Sequence, residues 1–408
     1  MEGFTFPLGV YPIEPMTPVP HAGYTVTFEP ADGESEGGRG GKNNEADALG
    51  LGGSAEGDGG GEAGSGGLAD LEDGGREGGG GDPGDWEEWP DRYVYDILVP
   101  ASRVESLCRT LFALLPGRVF PILDILGQDE FREVDPYVSY DLIGLERFLD
   151  AVRRFNGFFY EDGLVGFGVI AEEPFLYIFV DEHKIVTVRV ETAFRDKVEA
   201  VLSAFDLSEV EEIAGADAAT HEHRGVLDSP EDRPDLLNAE EIIEYLRDEW
   251  RLVLNIDPET NLDDDGEELG RTGWRCIVRH DWEIPQAEAD AAKAARKTGE
   301  KPKIGRYAEI MLTANCFRQA EDLALAEFKS QLPASLRKIW EQDDDAADVP
   351  ILVAADRLTP EHFAEDVKTI GDGVGEGDAA APTMDESRVW AANWMPLDPP
   401  STDSVRED

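Results

Sequence analysis

Positive charge is what this sequence has least of. Thirty-six Lys and Arg face 88 Asp and Glu, for a net charge of −52 over 408 residues, and only 10 of the 36 are Lys. Such a balance excludes ordinary association with DNA, RNA or anionic lipid, because phosphates meet repulsion in place of released counterions. The deficit is not confined to the ends. Residues 90–370 carry 60 acids and 31 bases, so the middle alone holds −29. Self-repulsion of that size is relieved when salt shortens the Debye length. A salt-rich cytoplasm and a GC-rich genome that favours Arg, Gly, Ala and Asp both account for the composition.

Cysteine is scarce too. Cys108, Cys276 and Cys316 are widely spaced and odd in number, which argues against a disulfide framework. No run of 18 apolar residues offers a membrane span, and Met1 to Val10 lacks the basic-then-apolar order of a secretory signal. A cytoplasmic protein is expected. Phosphate-binding loops of the Gly-x-x-x-x-Gly-Lys-Ser/Thr type and Gly-x-Ser-x-Gly elbows are missing, which lowers the odds of a common NTPase or hydrolase.

Residues 1–30 are rich in Pro and aromatics, which predicts an extended arm. Residues 31–88 form a Gly-rich acidic linker, with 22 of the 43 glycines between positions 31 and 84, and the composition predicts disorder. An apolar arm on such a tether suits docking onto its own domain or onto a partner. An α+β domain is expected over 89–215, a linker over 216–238, a second α+β domain over 239–370, and a mostly disordered acidic tail over 371–408.

Periodicity supplies the elements. Tyr93–Val99 reads as a strand, and Ser102 is placed to cap a helix with Val104, Leu107, Cys108, Leu111 and Leu115 on one face. Leu142, Leu145, Leu149 and Val152 mark a second helix. Runs at 157–161, 164–171, 175–181 and 184–191 read as an antiparallel meander, its first turn being Asp162-Gly163. Asn238 with Glu241 predicts a capping box. Further strands are expected at 251–256, 273–282, 307–313 and 350–355. A strand leads into an amphipathic helix three times, at 93–115, 184–205 and 307–332. The fold class expected is α+β, with mostly antiparallel sheet and helices packed on one face; ferredoxin-like strand-helix units are one arrangement that suits it.

Four features invite chemistry. Asn261-Leu262-Asp263-Asp264-Asp265-Gly266-Glu267 matches the first half of a calcium loop, but Thr272 stands where a bidentate Glu is needed, so an acidic hairpin tip is expected. His221 and His223 share one side of an extended segment, yet no third ligand lies within sequence reach. On the strand at 273–282, Trp274, Cys276, Val278, His280 and Trp282 alternate onto one face. That face reads as packed core, or else as a pocket with Arg275 and Arg279 binding an anion on the far side. Lys293, Arg296, Lys297, Lys301, Lys303 and Arg306 form one basic cluster, read as a solvated insertion. Cys108 reads as core, and Cys316 stands beside a helix start without a base nearby in sequence.

From sequence, therefore, no catalytic residue, cofactor or metal ligand is assigned. The leading expectation is an intracellular interaction protein with a protein partner and no direct nucleic-acid or membrane binding. An enzyme with a pocket around 273–282 is the alternative, followed by an acidic nucleic-acid mimic that occupies a basic protein.

Overall fold

A computed structural model describes residues 4–31, 90–227, 237–283, 303–331, 350–371 and 382–396. Within these the chain is α+β and divides into two compact units. Unit 1 comprises residues up to Asp124, Pro136–Leu227 and Leu246–Val253; unit 2 comprises Ile125–Asp135, Asp228–Tyr245 and the residues from Leu254 onward.

Unit 1 opens with two strands from the aromatic arm, β1 (Val10–Pro12) and β2 (Gly23–Glu29). Then come β3 (Arg92–Leu98), α1 (Ala101–Phe112), β4 (Arg118–Leu126), β5 (Val134–Val138) and β6 (Ile143–Gly144). They are followed by α2 (Leu145–Arg154), α3 (Asn156–Glu161), β7 (Val165–Ala171), β8 (Leu176–Val180), β9 (Val186–Glu191), α4 (Arg195–Ala204) and β10 (His221–His223). Within unit 1 the main sheet runs β5-β4-β7-β8-β9-β3-β2 with β6 also paired to β4, while among the described residues β1 and β10 pair with each other alone. β7 and β8 are buried along their whole length, as expected of central strands covered on both sides. One side carries Phe112, Phe148, Phe159, Phe167 and Trp250, with Phe159 stacked on Trp250 at 5.6 Å between ring centroids. The other carries Phe120, Ile122, Val138, Ile170, Phe175, Tyr177 and Phe179.

Three local expectations fail here, each for a packing reason. Residues 157–161 form helix α3, so Asp162-Gly163 joins a helix to a strand and makes no hairpin. Phe158, Phe159 and Tyr160 are all buried there, and a short apolar run does not by itself reveal its period. In α2 the buried residues are Phe148, Ala151 and Val152, while Leu142 precedes the helix and is exposed. Phe148 turns that face inward by meeting Phe112 and Trp250 at 5.3 and 5.0 Å. α1 starts at Ala101 after Pro100, without a side-chain cap from Ser102.

Unit 2 follows the capping box, in which the Asn238 backbone N–H donates to Glu241 at 2.9 Å and Glu241 N–H donates to Asn238 Oδ1 at 2.8 Å. That box starts α5 (Ala239–Trp250), after which β11 (Val253–Leu254), β12 (Thr272–Glu283) and β13 (Lys303–Ala314) follow. The last elements are α6 (Phe317–Gln331), β14 (Ile351–Leu358), α7 (Pro360–Gly371) and β15 (Arg388–Pro396). Its sheet is antiparallel in the order β14-β12-β13-β15. Successive side chains of a strand point to opposite faces. Ile310 and Leu312 accordingly pack with Ala320, Ala324 and Phe328 of α6, and Met311 packs with Phe363 of α7. Gly273 is what admits α7, since a Cβ there would collide with the Phe363 ring. Residues 284–302, which carry most of the basic cluster read as a solvated insertion, lie outside the described residues. Among the described residues no helix is long and apolar enough to cross a membrane.

Candidate metal centre

Three of the six histidines in the chain converge in unit 1. β10 supplies two. It pairs antiparallel with β1, Val10 opposite His223 and Pro12 opposite His221, and the two-residue period places both imidazoles on one side. Glu222, on the other side, is held by Arg224 Nε at 3.0 Å. The third, His183, comes from the turn between β8 and β9. That turn is tight: Asp181 Oδ1 accepts the Ile185 N–H at 2.7 Å, and the Lys184 N–H donates to the Asp181 carbonyl at 3.1 Å. Lys184 adopts a φ of 66° there, and its buried ammonium donates to the Val165 carbonyl at 2.5 Å. His183 therefore projects from a fixed backbone.

The three rings meet edge to face. Their centroids are 4.8, 4.7 and 4.7 Å apart with interplanar angles of 70°, 72° and 76°. His221 Nε2 lies 2.9 Å from His183 Nε2 and 2.9 Å from His223 Nε2. Every Nδ1 faces an acceptor: the Ala219 carbonyl at 2.7 Å from His221, the Gly163 carbonyl at 2.6 Å from His223, and Glu182 Oε1 at 3.1 Å from His183. A carbonyl or carboxylate can only accept, so each Nδ1 carries the proton. In the neutral rings the three Nε2 lone pairs then point at one another.

Lone pairs at that distance repel unless a cation sits among them. A proton is the bland solution. Burial opposes charge on His183, but hydrogen bonds and attraction from Asp181 and Glu182 outweigh it and push its pKa up to about 10. Protonated His183 can donate to His221. The contact between His221 and His223 is then still two acceptors face to face, and burial followed by the neighbouring imidazoles lowers the pKa of His223 although its bond to Gly163 works the other way. One metal ion satisfies all three at once. With metal–nitrogen bonds of about 2.0–2.1 Å, tetrahedral ligands would stand roughly 3.3 Å apart, a few tenths from the two separations at His221. The pattern of Nδ1 partners is also what orients ligating imidazoles in metal sites. Among the described residues no fourth His, Cys or carboxylate joins the three, whereas Asp181 and Glu182 lie on the Nδ1 side of His183. A zinc ion held by such a set would keep a position for water, and zinc lowers the pKa of bound water to about 7.

The other candidates fare differently. In the 261–267 loop, Asn261 Oδ1 accepts from Arg357 at 3.1 Å, Asp263 Oδ1 takes the Glu267 N–H at 2.8 Å, and Asp264 Oδ2 takes the Glu133 N–H at 3.0 Å. Each of these side-chain oxygens already has a donor of unit 2, and the Asp263 bond closes the loop. On β12, Trp274, Cys276 and Val278 lie in the packed centre of unit 2, and His280 is buried beside them in the strand. Arg275 is paired with Glu309 at 2.6 Å and Arg279 with Glu244, which counts against an anion site on that face. Trp282 belongs to β12 by its backbone, opposite Ile304. Lys293, Arg296, Lys297 and Lys301 fall outside the described residues, and Lys303 and Arg306 fall in β13. Cys108 lies in the core with its thiol pKa pushed up by burial, and Cys316 is partly exposed just before α6.

Sequence spacing exposes the His221/His223 pair but not His183, which stands 38 positions earlier on a hairpin tip. A histidine between two predicted strands, flanked by Asp181 and Glu182, is the signal that would have singled it out. No family model, curated protein or solved structure matches this chain.

Proposed function

We propose that this protein binds one first-row transition ion, with zinc as the natural occupant, through His183, His221 and His223, and keeps one position of that ion open to an exchangeable ligand. The observation that carries this reading is the convergence of three Nε2 atoms whose Nδ1 sides all face acceptors. Imidazole donors suit zinc, copper, nickel and cobalt, and they are a poor shell for calcium or magnesium. The three rings are partly exposed, not sealed in the core, which supports an exchangeable ligand on the ion. The test is stoichiometry. Chelator-stripped protein titrated with cobalt(II) is expected to develop the visible bands of a four-coordinate ion at one equivalent, and zinc is expected to displace them. A triple variant with Ala at the three positions should take up none. Equal uptake by the wild type and the triple variant refutes the reading.

The same reading takes the protein as cytoplasmic and without direct nucleic-acid binding. It is supported by three unpaired cysteines and by a net charge of −52. A protein partner for the exposed apolar side chains of the arm, Leu8, Tyr11, Ile13 and Val19, belongs to this proposal as well.

A further inference from the structure

We infer that occupancy of the three-histidine site controls whether the amino-terminal segment of this chain is docked, so that the ion acts as a clamp on residues 5–13. The inference rests on the metal reading above. Among the described residues β10 is the sheet partner of β1, and its two histidines sit directly opposite β1 residues.

The hydrogen bonds that hold the segment run through the ligands' own supports. Gly9 N–H donates to the Glu161 carbonyl at 2.7 Å, Arg224 N–H donates to the Gly9 carbonyl at 2.8 Å, and Ile13 N–H donates to the Thr220 carbonyl at 2.9 Å. Gly163 N–H donates to the Arg224 carbonyl at 3.1 Å, while the Gly163 carbonyl receives His223 Nδ1 at 2.6 Å. Gly9, Arg224, Gly163 and His223 thus form one closed circuit. It is also packed backbone to backbone: a Cβ at Gly9 would collide with Gly163, Arg224 and Glu161.

Around that circuit the segment has a few further holds: the Ala101 N–H donates to the Thr5 carbonyl at 2.8 Å, the Leu8 N–H donates to Glu161 Oε2 at 2.9 Å, and the Arg224 guanidinium lies over the Tyr11 ring. Leu8 is 76% exposed, Tyr11 and Ile13 are more than half exposed, and of these strand neighbours Val10 alone is buried, at 3%. A segment held mostly by backbone bonds, with Pro7 and Val10 as its buried apolar residues, belongs to the low-stability end of a fold. Fixing β10 to the β8–β9 turn through His183 removes the freedom that would let β1 and β10 part. By linkage, whatever the ion adds to docking, docking adds to ion affinity.

The experiment is hydrogen exchange on the full chain, stripped with EDTA and then reloaded with zinc chloride. Deuterium uptake in peptides covering residues 5–13 is expected to slow at least tenfold with one equivalent of zinc. In His183→Ala, zinc is expected to change that uptake little. Gly9→Val, which cannot dock, is expected to exchange rapidly in both states and to bind zinc more weakly by the same factor that zinc slows exchange in the wild type. Zinc bound at one equivalent with unchanged uptake in residues 5–13 overturns the clamp and leaves the metal site standing. Failure to bind zinc at all overturns both.

Discussion

Glu182 Oε1 receives the Nδ1 proton of His183 at 3.1 Å, so the carboxylate both orients the imidazole and makes its free nitrogen more basic. Glu182→Gln keeps the shape and removes the charge. Zinc affinity is expected to drop by roughly 10–100-fold, as is usual when an outer carboxylate of a metal-bound histidine is lost. Competition with a chromophoric chelator measures it, and an affinity within twofold of wild type would dismiss the role.

Proton and metal compete for His183. Asp181 and Glu182 hold its pKa up to about 10 against the opposing effect of burial, so the metal-free ring is protonated at neutral pH and must lose that proton to bind. Apparent zinc affinity is therefore expected to rise about tenfold per pH unit between pH 6 and 8. A flat profile over that interval would show that His183 does not bind the ion.

Parts of this architecture are plain in the residues. The Asn238/Glu241 box is local, and its two hydrogen bonds form as the spacing requires. The alternation of Trp274, Cys276 and Val278 survives as a buried strand face because period two is a property of the backbone itself. Phe158-Phe159-Tyr160 defeats such reading, since a helix and a strand can both bury three consecutive rings and only Phe148, Phe167 and Trp250 decide between them. The metal centre is half legible. His221 and His223 declare themselves by spacing, and His183 joins them only through the pairing of β8 with β9.

Unit 2 depends on one buried ion pair. Arg357 Nε lies 2.8 Å from Asp129 Oδ2, the Arg357 backbone N–H donates to the same oxygen at 3.0 Å, and the guanidinium also reaches Asn261 Oδ1 at 3.1 Å. The Asp129 side chain has no exposure at all. Arg357→Met removes the guanidinium and leaves Asp129 with backbone N–H groups of residues 131 and 357 and with Arg132 at 3.8 Å, and is expected to cost about 3 kcal/mol in urea unfolding. Adding Asp129→Leu should return most of the loss. A single variant as stable as wild type would mean the pair is dispensable.

Asp356 gives the second unit a pH signature. Burial first, then the nearby Asp135 and Asp129 carboxylates, push its pKa up to about 6. Folding therefore binds a proton there. The associated stability is present at low pH and is lost as pH rises through about 6, the reverse of a salt-bridged carboxylate. Asp356→Asn is expected to flatten the slope of stability between pH 4 and 6 and to raise stability at pH 8 by roughly 1–3 kcal/mol. Urea melts at pH 4, 6 and 8 decide this, and an unaltered slope would count against the assignment.

Salt should steady the whole chain. With a net charge of −52, the melting midpoint is expected to climb with sodium chloride and to level off near 1 M, where the Debye length is only about 3 Å. A midpoint insensitive to chloride salt would show that the acids repel one another too little to matter.

The pairing of Val10 with His223 spans 213 positions of sequence. During synthesis the opening residues emerge long before their partner strand exists, and loop closure over such a distance is slow compared with local helix and hairpin formation. Assembly of the three imidazoles waits on that same late step. A nascent or freshly refolded chain will thus gain its ion-holding capacity after most of its secondary structure, and time-resolved uptake of cobalt(II) should trail the recovery of far-ultraviolet dichroism.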